Sequence, residues 1–417
     1  MSAEALQPSA GFDAELGMSW ELPQENTLIG GRFRIGRPIG EGGMSAVFKA
    51  RDERLGRDVA FKLLSPRLAF SREVVTRFVN EARTLARLDC PRIVRVLDAG
   101  VTNGGDHAPL PYMVLELLHG EDLRAQCERG PVPSVRRVLG WILEACEGLA
   151  AAHAQGIVHR DLKPENLFLA READGTEMIK VLDFGIARSL AMPSSLTFNG
   201  EGVGSPGYMS PEQLRDASAA DERSDIWSLG VVLYELLAGV PPFRADSTFE
   251  VCTKISAGRV PRLRRPDGDL PRGLGAVVRR CLNVDPAERY ADVAELAEAL
   301  LPFCPDLAEP ALYRIRRRLH TRPSGEVTTT HAADRVDVRA PTEPALWEDA
   351  SAFHPAADRR RHLISRMVVG LSLAGMLALL AQAFGLERAD ATTLAQEARG
   401  VVTRTSERVS QAARDLW

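Results

Sequence analysis

The sequence predicts an α+β protein, with strands gathered at the front of the chain and helices behind them. Three observations carry this. Segments 33–64 and 112–118 alternate or run apolar in short stretches broken by glycine, the pattern of strands. Segments 78–88, 134–155 and 225–236 are apolar stretches read as helices, two of them with apolar positions at helical spacing. Residues 367–386 then run without a charge, long enough for one membrane-crossing helix.

Composition bounds the function. At 417 residues there is room for about two to three domains. Apolar residues at 45% and charged residues at 26% are ordinary for a soluble fold. A net charge of −4 gives no basic excess, which argues against nucleic acid as a partner. The six cysteines form no Cys-x-x-Cys pair, which argues against a zinc site or a disulfide framework and fits a reducing compartment.

Residues 1–31 read as a disordered acidic leader. Met1 to Leu28 holds Glu4, Asp13, Glu15, Glu21 and Glu25 and no lysine or arginine, so the positive start of a secretory signal is missing. Arg32 to Ala50 reads as two strands around a glycine turn: Phe33-Arg34-Ile35-Gly36, then Ile39-Gly40-Glu41-Gly42-Gly43-Met44-Ser45-Ala46-Val47-Phe48. Glycines at 40, 42 and 43 let a backbone approach a ligand closely, and freed N–H groups can face phosphates. The turn joins strand to strand, which excludes a dinucleotide-binding turn, and lacks the Gly-Lys-Ser/Thr ending of a Walker loop.

In Asp58 to Leu64, alternation puts Ala60 and Lys62 on one face and Val59, Phe61 and Leu63 on the other. A lysine inside an apolar strand is costly unless paired. It is either an edge lysine reaching for solvent or a cation on phosphates, steered by a carboxylate. Glu81, beside the stripe of Phe78, Ala82 and Leu85, is the candidate carboxylate. Tyr112 to Leu118 is an apolar strand broken by Glu116. Ser134 to Gln155 reads as a helix with a serine cap, apolar Val138, Ile142 and Leu149, and Gly156 as its stop.

The chain is organised around Ile157 to Gly185. His159-Arg160-Asp161-Leu162-Lys163-Pro164-Glu165-Asn166 is followed by an apolar hairpin around Ala173-Asp174-Gly175, and then by Asp183-Phe184-Gly185. Asp161, Asn166 and Asp183 fall at the ends of apolar runs, which suggests two carboxylates and an amide facing a shared cleft. This order resembles the catalytic and metal-binding loops of the protein kinase superfamily, and Lys163 resembles its serine/threonine branch. The resemblance covers about Phe33 to Cys304.

The resemblance implies a bilobal protein kinase fold over 32–304, with a strand-rich N-lobe at about 32–118 and a mainly helical C-lobe at about 119–304. Ile39, Gly40, Glu41, Gly42, Gly43 and Ser45, the last in place of a third family glycine, would cover the phosphates of ATP. Val47 and Ala60 would pack on adenine, and the backbones of Glu116 and Leu118, beside gatekeeper Leu115, would meet its edge. Lys62 would hold phosphates, paired with Glu81. Asp161 would accept or orient the proton of a substrate hydroxyl, and Lys163 would contact the transferred phosphate. Asn166 and Asp183 are hard oxygen ligands suited to Mg2+, with Mn2+ as a substitute.

Ile186 to Pro211 resembles an activation segment. Arg160 would be the cation that a phosphate there neutralises, with Thr197 the first choice and Ser194 and Ser195 behind it. Ser205 stands where the family usually has threonine, and Ser210 where it often has alanine. The family also implies a Glu212–Arg289 pair, and it ties Asp225 to the catalytic loop. Asp225 at the start of helix 225–236 can also cap free N–H groups.

Residues 305–366 are rich in Arg, Thr, Pro and Ala and read as a flexible linker. Arg359, Arg360, Arg361 and Arg366 precede the apolar run 367–386, and only Arg388 and Arg399 follow closely. The positive side stays cytoplasmic, so the expectation is a single-pass cell-membrane protein with its kinase domain in the cytoplasm. The tail 387–417 carries Leu394, Val402, Val409 and Leu416 at near-heptad spacing, which would suit a helix and a homodimer.

The whole resembles transmembrane eukaryotic-like kinases of bacteria. It implies transfer of the γ-phosphoryl group of Mg-ATP to serine or threonine of protein substrates, with activation by autophosphorylation, in signalling. A scaffold without catalysis would usually lack Lys62, Asp161 or Asp183, and none is lost; the intact activation segment and the Glu212 and Arg289 landmarks argue against a small-molecule kinase on a similar fold.

Overall fold

The computed structural model describes residues 22–41, 45–69, 72–102, 110–184 and 206–320. The strands β1 (Leu28–Ile29), β2 (Phe33–Glu41), β3 (Ser45–Asp52), β4 (Arg57–Leu64), β5 (Val96–Val101) and β6 (Pro111–Glu116) form one antiparallel sheet in the order β1-β2-β3-β4-β6-β5. The two faces of β4 separate as their alternation predicts. Val59, Phe61 and Leu63 join Phe33, Ile35 and Phe48 in one core, where Phe61 stacks on Tyr112 at 4.8 Å. Ala60 belongs to the larger core on the other side. That face meets helix α2 (Arg72–Leu85), which follows a short α1 (Pro66–Ala69) and packs on β5 and β6 through Phe78, Ala82 and Leu85.

Beyond β6 the chain is mainly helical. A small sheet of β7 (Gly120–Asp122), β8 (Leu167–Arg171) and β9 (Glu177–Val181) lies beside α3 (Leu123–Arg129) and α4 (Val135–His153). Ser134 caps α4 by accepting the Arg137 N–H. After α5 (Pro211–Arg215) comes α6 (Glu222–Ala238), with 14 of its 17 residues buried, so it is the central post of this half. Gly239 ends it at φ 75°, a left-handed turn that suits glycine. Helices α7 (Thr248–Ser256), α8 (Leu274–Cys281), α9 (Val293–Leu300) and α10 (Pro305–His320) complete the described chain.

Several expectations change. The leader does not run to residue 31: Leu28–Ile29 pairs with β2, because Ile29 has an apolar seat and Gly30 and Gly31, both at positive φ, make the turn back. The glycine-rich strands are longer than read, so β2 and β3 close nearer residues 42–44. The apolar run 112–118 stops pairing at Glu116, which leaves Leu117 and Leu118 as connection. Helix α6 starts at Glu222 with Asp221 as its cap, so Asp225 is not a capping residue. The linker expected from 305 begins instead as α10, because Ala308, Ala311, Leu312 and Ile315 form a buried stripe at helical spacing.

The six cysteines are free, as their spacing predicts. Among the described residues no helix is long and apolar enough to cross a membrane. The expected span 367–386, the tail 387–417, the linker from 321, the leader up to 21, Gly42, Gly43, Ser194, Ser195, Thr197 and Ser205 lie outside the described residues.

Candidate active site

The roof of the cleft is set by strand register. Val47 lies opposite both Gly40 and Lys62, while Ala60 lies opposite Leu115 and Val59 opposite Glu116. Val47, Ala60, Lys62 and Leu115 are thus neighbours across three strands, and Ser45 is the first residue of β3. Ile39, Gly40 and Glu41 on β2 are exposed. At the connection to the helical half, the Glu116 N–H donates to the Arg95 carbonyl, so of its backbone only the carbonyl could face a ligand. The Glu116 carboxylate accepts from Lys180 Nζ at 2.6 Å. Leu118 makes no backbone hydrogen bond among the described residues, so its N–H and C=O are open to one.

Lys62 is 8% exposed, and its Nζ donates to Asp183 Oδ1 at 2.6 Å, across 121 positions of sequence. Burial works against the ammonium, but the charges of Asp183 and Glu81 outweigh it and hold the Lys62 pKa above the usual lysine value. Glu81 is 4% exposed on α2. Asp183 shows the converse. Desolvation deep in the cleft works toward the neutral acid, and Lys62 overrides it and holds the carboxyl below its ordinary range. Even so, 47% of the Asp183 side chain stays open to the cleft.

Beneath the roof, Asn166 Nδ2 donates to the Asp161 carbonyl at 2.7 Å and to Asp161 Oδ2 at 3.2 Å. Lys163 Nζ lies 3.5 Å from Asp161 Oδ2. The Leu182 N–H donates to the Asn166 carbonyl at 2.9 Å, which sets Asp183 and its partner Lys62 beside Asp161, Lys163 and Asn166. His159, fully buried, joins them: its Nε2 donates to the Leu182 carbonyl at 2.8 Å, and its Nδ1 accepts the Asp161 N–H at 3.2 Å. A proton on Nε2 satisfies both bonds at once. Its ring sits 4.6 Å from that of Phe184.

Two of these positions have strained backbones. Arg160 has φ 65° and Asp183 φ 43°, a region that costs side-chain-bearing residues about 1–3 kcal/mol each. Asp225 holds the first. Its carboxylate, fully buried, accepts the N–H groups of His159 at 2.8 Å and Arg160 at 2.9 Å, and His153 Nε2 at 2.8 Å. Burial would raise its pKa, and these donors lower it below the ordinary value.

Comparison with known proteins fits this geometry. The family described as protein kinase domain matches residues 33–301. Serine/threonine-protein kinase PknL of Mycobacterium tuberculosis is 38% identical over 289 residues, 69% of this chain and 69% of that one. PknB of Mycobacterium leprae is 41% identical over 274 residues, 65% of this chain and 42% of that one. The chain belongs to the protein kinase family, in its serine/threonine branch. The kinase also resembles the crystal structure of the Mycobacterium tuberculosis PknI kinase domain, a double mutant, with TM-score 0.54 and 26% identity over 69% of this chain and 100% of that one.

The kinase carries supporting residues that sequence reading missed. Arg124 Nη1 donates to Glu235 at 2.7 Å, its Nε to Glu165 at 3.1 Å, and its Nη2 to the Tyr208 hydroxyl, which donates in turn to Glu235. Burial, with the Glu235 charge beside it, raises the Tyr208 pKa, so the phenol stays protonated and can donate. The four residues come from four segments, so no local pattern could announce them. Ser210 caps α5 reciprocally with Gln213, and Gln213 Nε2 donates to the Arg160 carbonyl at 3.0 Å. That accounts for serine at 210.

The expected Glu212–Arg289 pair is present as a fork, Nη1–Oε1 and Nη2–Oε2 both at 2.8 Å. Burial would raise the Glu212 pKa, but the bonds from Arg289 and Ser224 bring it down to about 2.

Proposed function

We propose that the kinase transfers the γ-phosphoryl group of Mg-ATP to serine or threonine hydroxyls of proteins, in the cleft bounded by Lys62, Asp161, Asn166 and Asp183. One observation carries this reading: Lys62 Nζ stands 2.6 Å from Asp183 Oδ1, so residues from distant parts of the chain define one polar cleft. The donor set fits a hard cation. Asn166 turns its amide nitrogen to Asp161 and so keeps its carbonyl oxygen for a metal, and Asp183 offers two oxygens, of which Lys62 takes one. When bound, Mg2+, or Mn2+ in its place, neutralises phosphate charge.

The protein's own groups position the rest. Gly40 and Ser45 stand on either side of Gly42 and Gly43, which would cover the phosphates. Val47 and Ala60 flank adenine, and the Glu116 carbonyl and Leu118 N–H meet its edge. Lys62 orients the phosphates. Asp161 accepts the hydroxyl proton as that oxygen bonds to the γ-phosphorus and the bond to the β–γ bridging oxygen breaks. Lys163 stabilises the charge on the phosphoryl group in transit. In an assay with labelled ATP and a generic protein substrate, label enters phosphoserine and phosphothreonine; label confined to free phosphate overturns the reading.

Activation by autophosphorylation is part of the proposal. Arg160 Nε is buried with no hydrogen-bond partner among the described residues, which supports a phosphate-accepting role. Mass spectrometry is expected to find phosphate on Thr197, and Thr197→Ala to lower turnover about tenfold through lost charge-assisted bonds. An unmodified Thr197 in a fully active enzyme removes this step.

We also place the kinase domain in the cytoplasm, anchored in the cell membrane by 367–386 with 387–417 outside, where the tail would suit a homodimer. The full chain should need detergent for extraction and residues 1–355 should not. Full chain released by salt alone would contradict the anchor.

A further inference from the structure

Glu147 is 2% exposed in the middle of α4, and three arginines converge on it. Arg314 Nε donates to Oε2 at 2.9 Å, Arg318 Nε to Oε1 at 3.4 Å, and Arg92 Nε to Oε2 at 3.4 Å. A buried carboxylate survives only with such partners. Burial favours its neutral form, yet the arginines, Arg314 first, hold its pKa below the ordinary value. Two of the three lie on α10, beyond residue 301, where the match to the kinase family ends.

Arg318 reaches further. Its Nη1 donates to the backbone carbonyl of Asp89 at 3.1 Å. Asp89 follows the turn that ends α2, and Glu81 lies about two helical turns before it. The next residues are fastened to β9: Val181 N–H donates to the Arg92 carbonyl at 2.7 Å, and Val94 N–H to the Val181 carbonyl at 3.1 Å. The loop that follows α2 is thus held at Arg92 and Val94 by β9 and at Asp89 by α10, four residues past the last residue of the helix.

Helix α10 is weak by itself. It has 16 residues with Pro310 inside, which removes one helical hydrogen bond. Its order depends on burying Ala308, Ala311, Leu312 and Ile315 and on reaching Glu147. It therefore docks or frays largely as a unit, directly before the segment from 321 that leads towards 367–386.

We infer that α10 is a brace: Arg314 and Arg318 are positioning residues that fix the C-terminal end of α2, and with it Glu81, against Lys62. The nucleotide site is then sensitive to whatever pulls on residues 305–320. The link to ATP rests on the reading of Lys62 above; the bracing of α2 does not.

The test is Arg314→Ala/Arg318→Ala in the full chain, read by hydrogen exchange of residues 72–88 and by Mg-ATP affinity. Exchange in α2 should rise about tenfold and ATP affinity fall about fivefold, with exchange in α8, which does not pack on α10, unchanged. Arg316→Ala, which removes only an exposed pair to Glu298, should change neither. If the double variant fails to fold, Arg318→Ala alone is read in the same way, and Arg318→Lys should restore part of the effect. Unchanged exchange in α2 overturns the brace. Raised exchange with intact ATP affinity overturns the link from the brace to the nucleotide site.

Discussion

Asp161→Asn should abolish phosphoryl transfer and leave the fold standing. The substitution keeps the shape of the side chain, and the bond from Asn166 to the Asp161 backbone carbonyl is untouched. What goes is a carboxylate able to accept a proton, a role worth about 10²–10⁴ in rate. The Lys163 contact at 3.5 Å goes too, but both partners are partly exposed, so its contribution to stability is below about 1 kcal/mol. Lys62→Met should be as inactive for a different reason. Methionine fills the buried path of the lysine stem, while phosphates lose their cation and Asp183 its partner. Because the Asp183 side chain is half open to the cleft, water can replace Lys62, and the fold should again survive. The double variant should be little worse than either single one, since the groups act on one transition state. Wild-type turnover in either single variant, with an unchanged melting temperature, would remove these roles.

The residues of the candidate site are legible in the sequence because their constraints are local. Asp161, Lys163 and Asn166 share one loop, and Asp183 follows a hairpin whose apolar period and glycine tip are plain. The pairing face of Lys62 follows from strand alternation alone. Long-range contacts were legible only through the family, as with Glu212 and Arg289. Where the family is silent they were not. Arg124, Glu165, Tyr208 and Glu235 meet because α6 passes beneath the loop of Asp161, a matter of packing. Asp225 is different: a position near a helix start suggests a cap, a role that Asp221 takes, while the tie to the catalytic loop that the family implies is the one present, to His159 and Arg160. Helix α10 was hidden for a physical reason: its arginines and Pro310 give it the composition of a linker, and the partner that orders it, Glu147, lies 167 residues before Arg314.

Removing Arg289 should cost more stability than any other single change considered. Its guanidinium is buried and gives Glu212 a two-bond fork, while Nε donates to the Asn283 carbonyl at 2.8 Å and Nη1 also to the Arg223 carbonyl at 2.9 Å. The group also lies 5.0 Å from the centre of the buried Trp227 ring. Arg289→Ala strands the Glu212 carboxylate and two carbonyls in the interior, a loss of about 3–5 kcal/mol against a total stability of about 5–15 kcal/mol. Arg289→Lys should recover only part, since an ammonium cannot present the planar fork. The pH profile distinguishes the charge from the packing. Glu212 titrates at about 2 in the folded chain against an ordinary 4.5, so the unfolded chain binds more protons between those values. Stability from this group is complete above about pH 4.5 and lost as pH falls towards 2, a difference of about 3 kcal/mol. Arg289→Ala should remove that part of the acid slope as well as lower the plateau at neutral pH. The damage should also reach catalysis, because α5 carries both Glu212 and the Gln213 that holds the Arg160 carbonyl. Denaturant melts of Arg289→Ala at pH 3 and pH 7 decide the matter: a loss under about 1 kcal/mol at pH 7, or an unaltered acid slope, would mean that the fork holds neither the helix nor the loop above it.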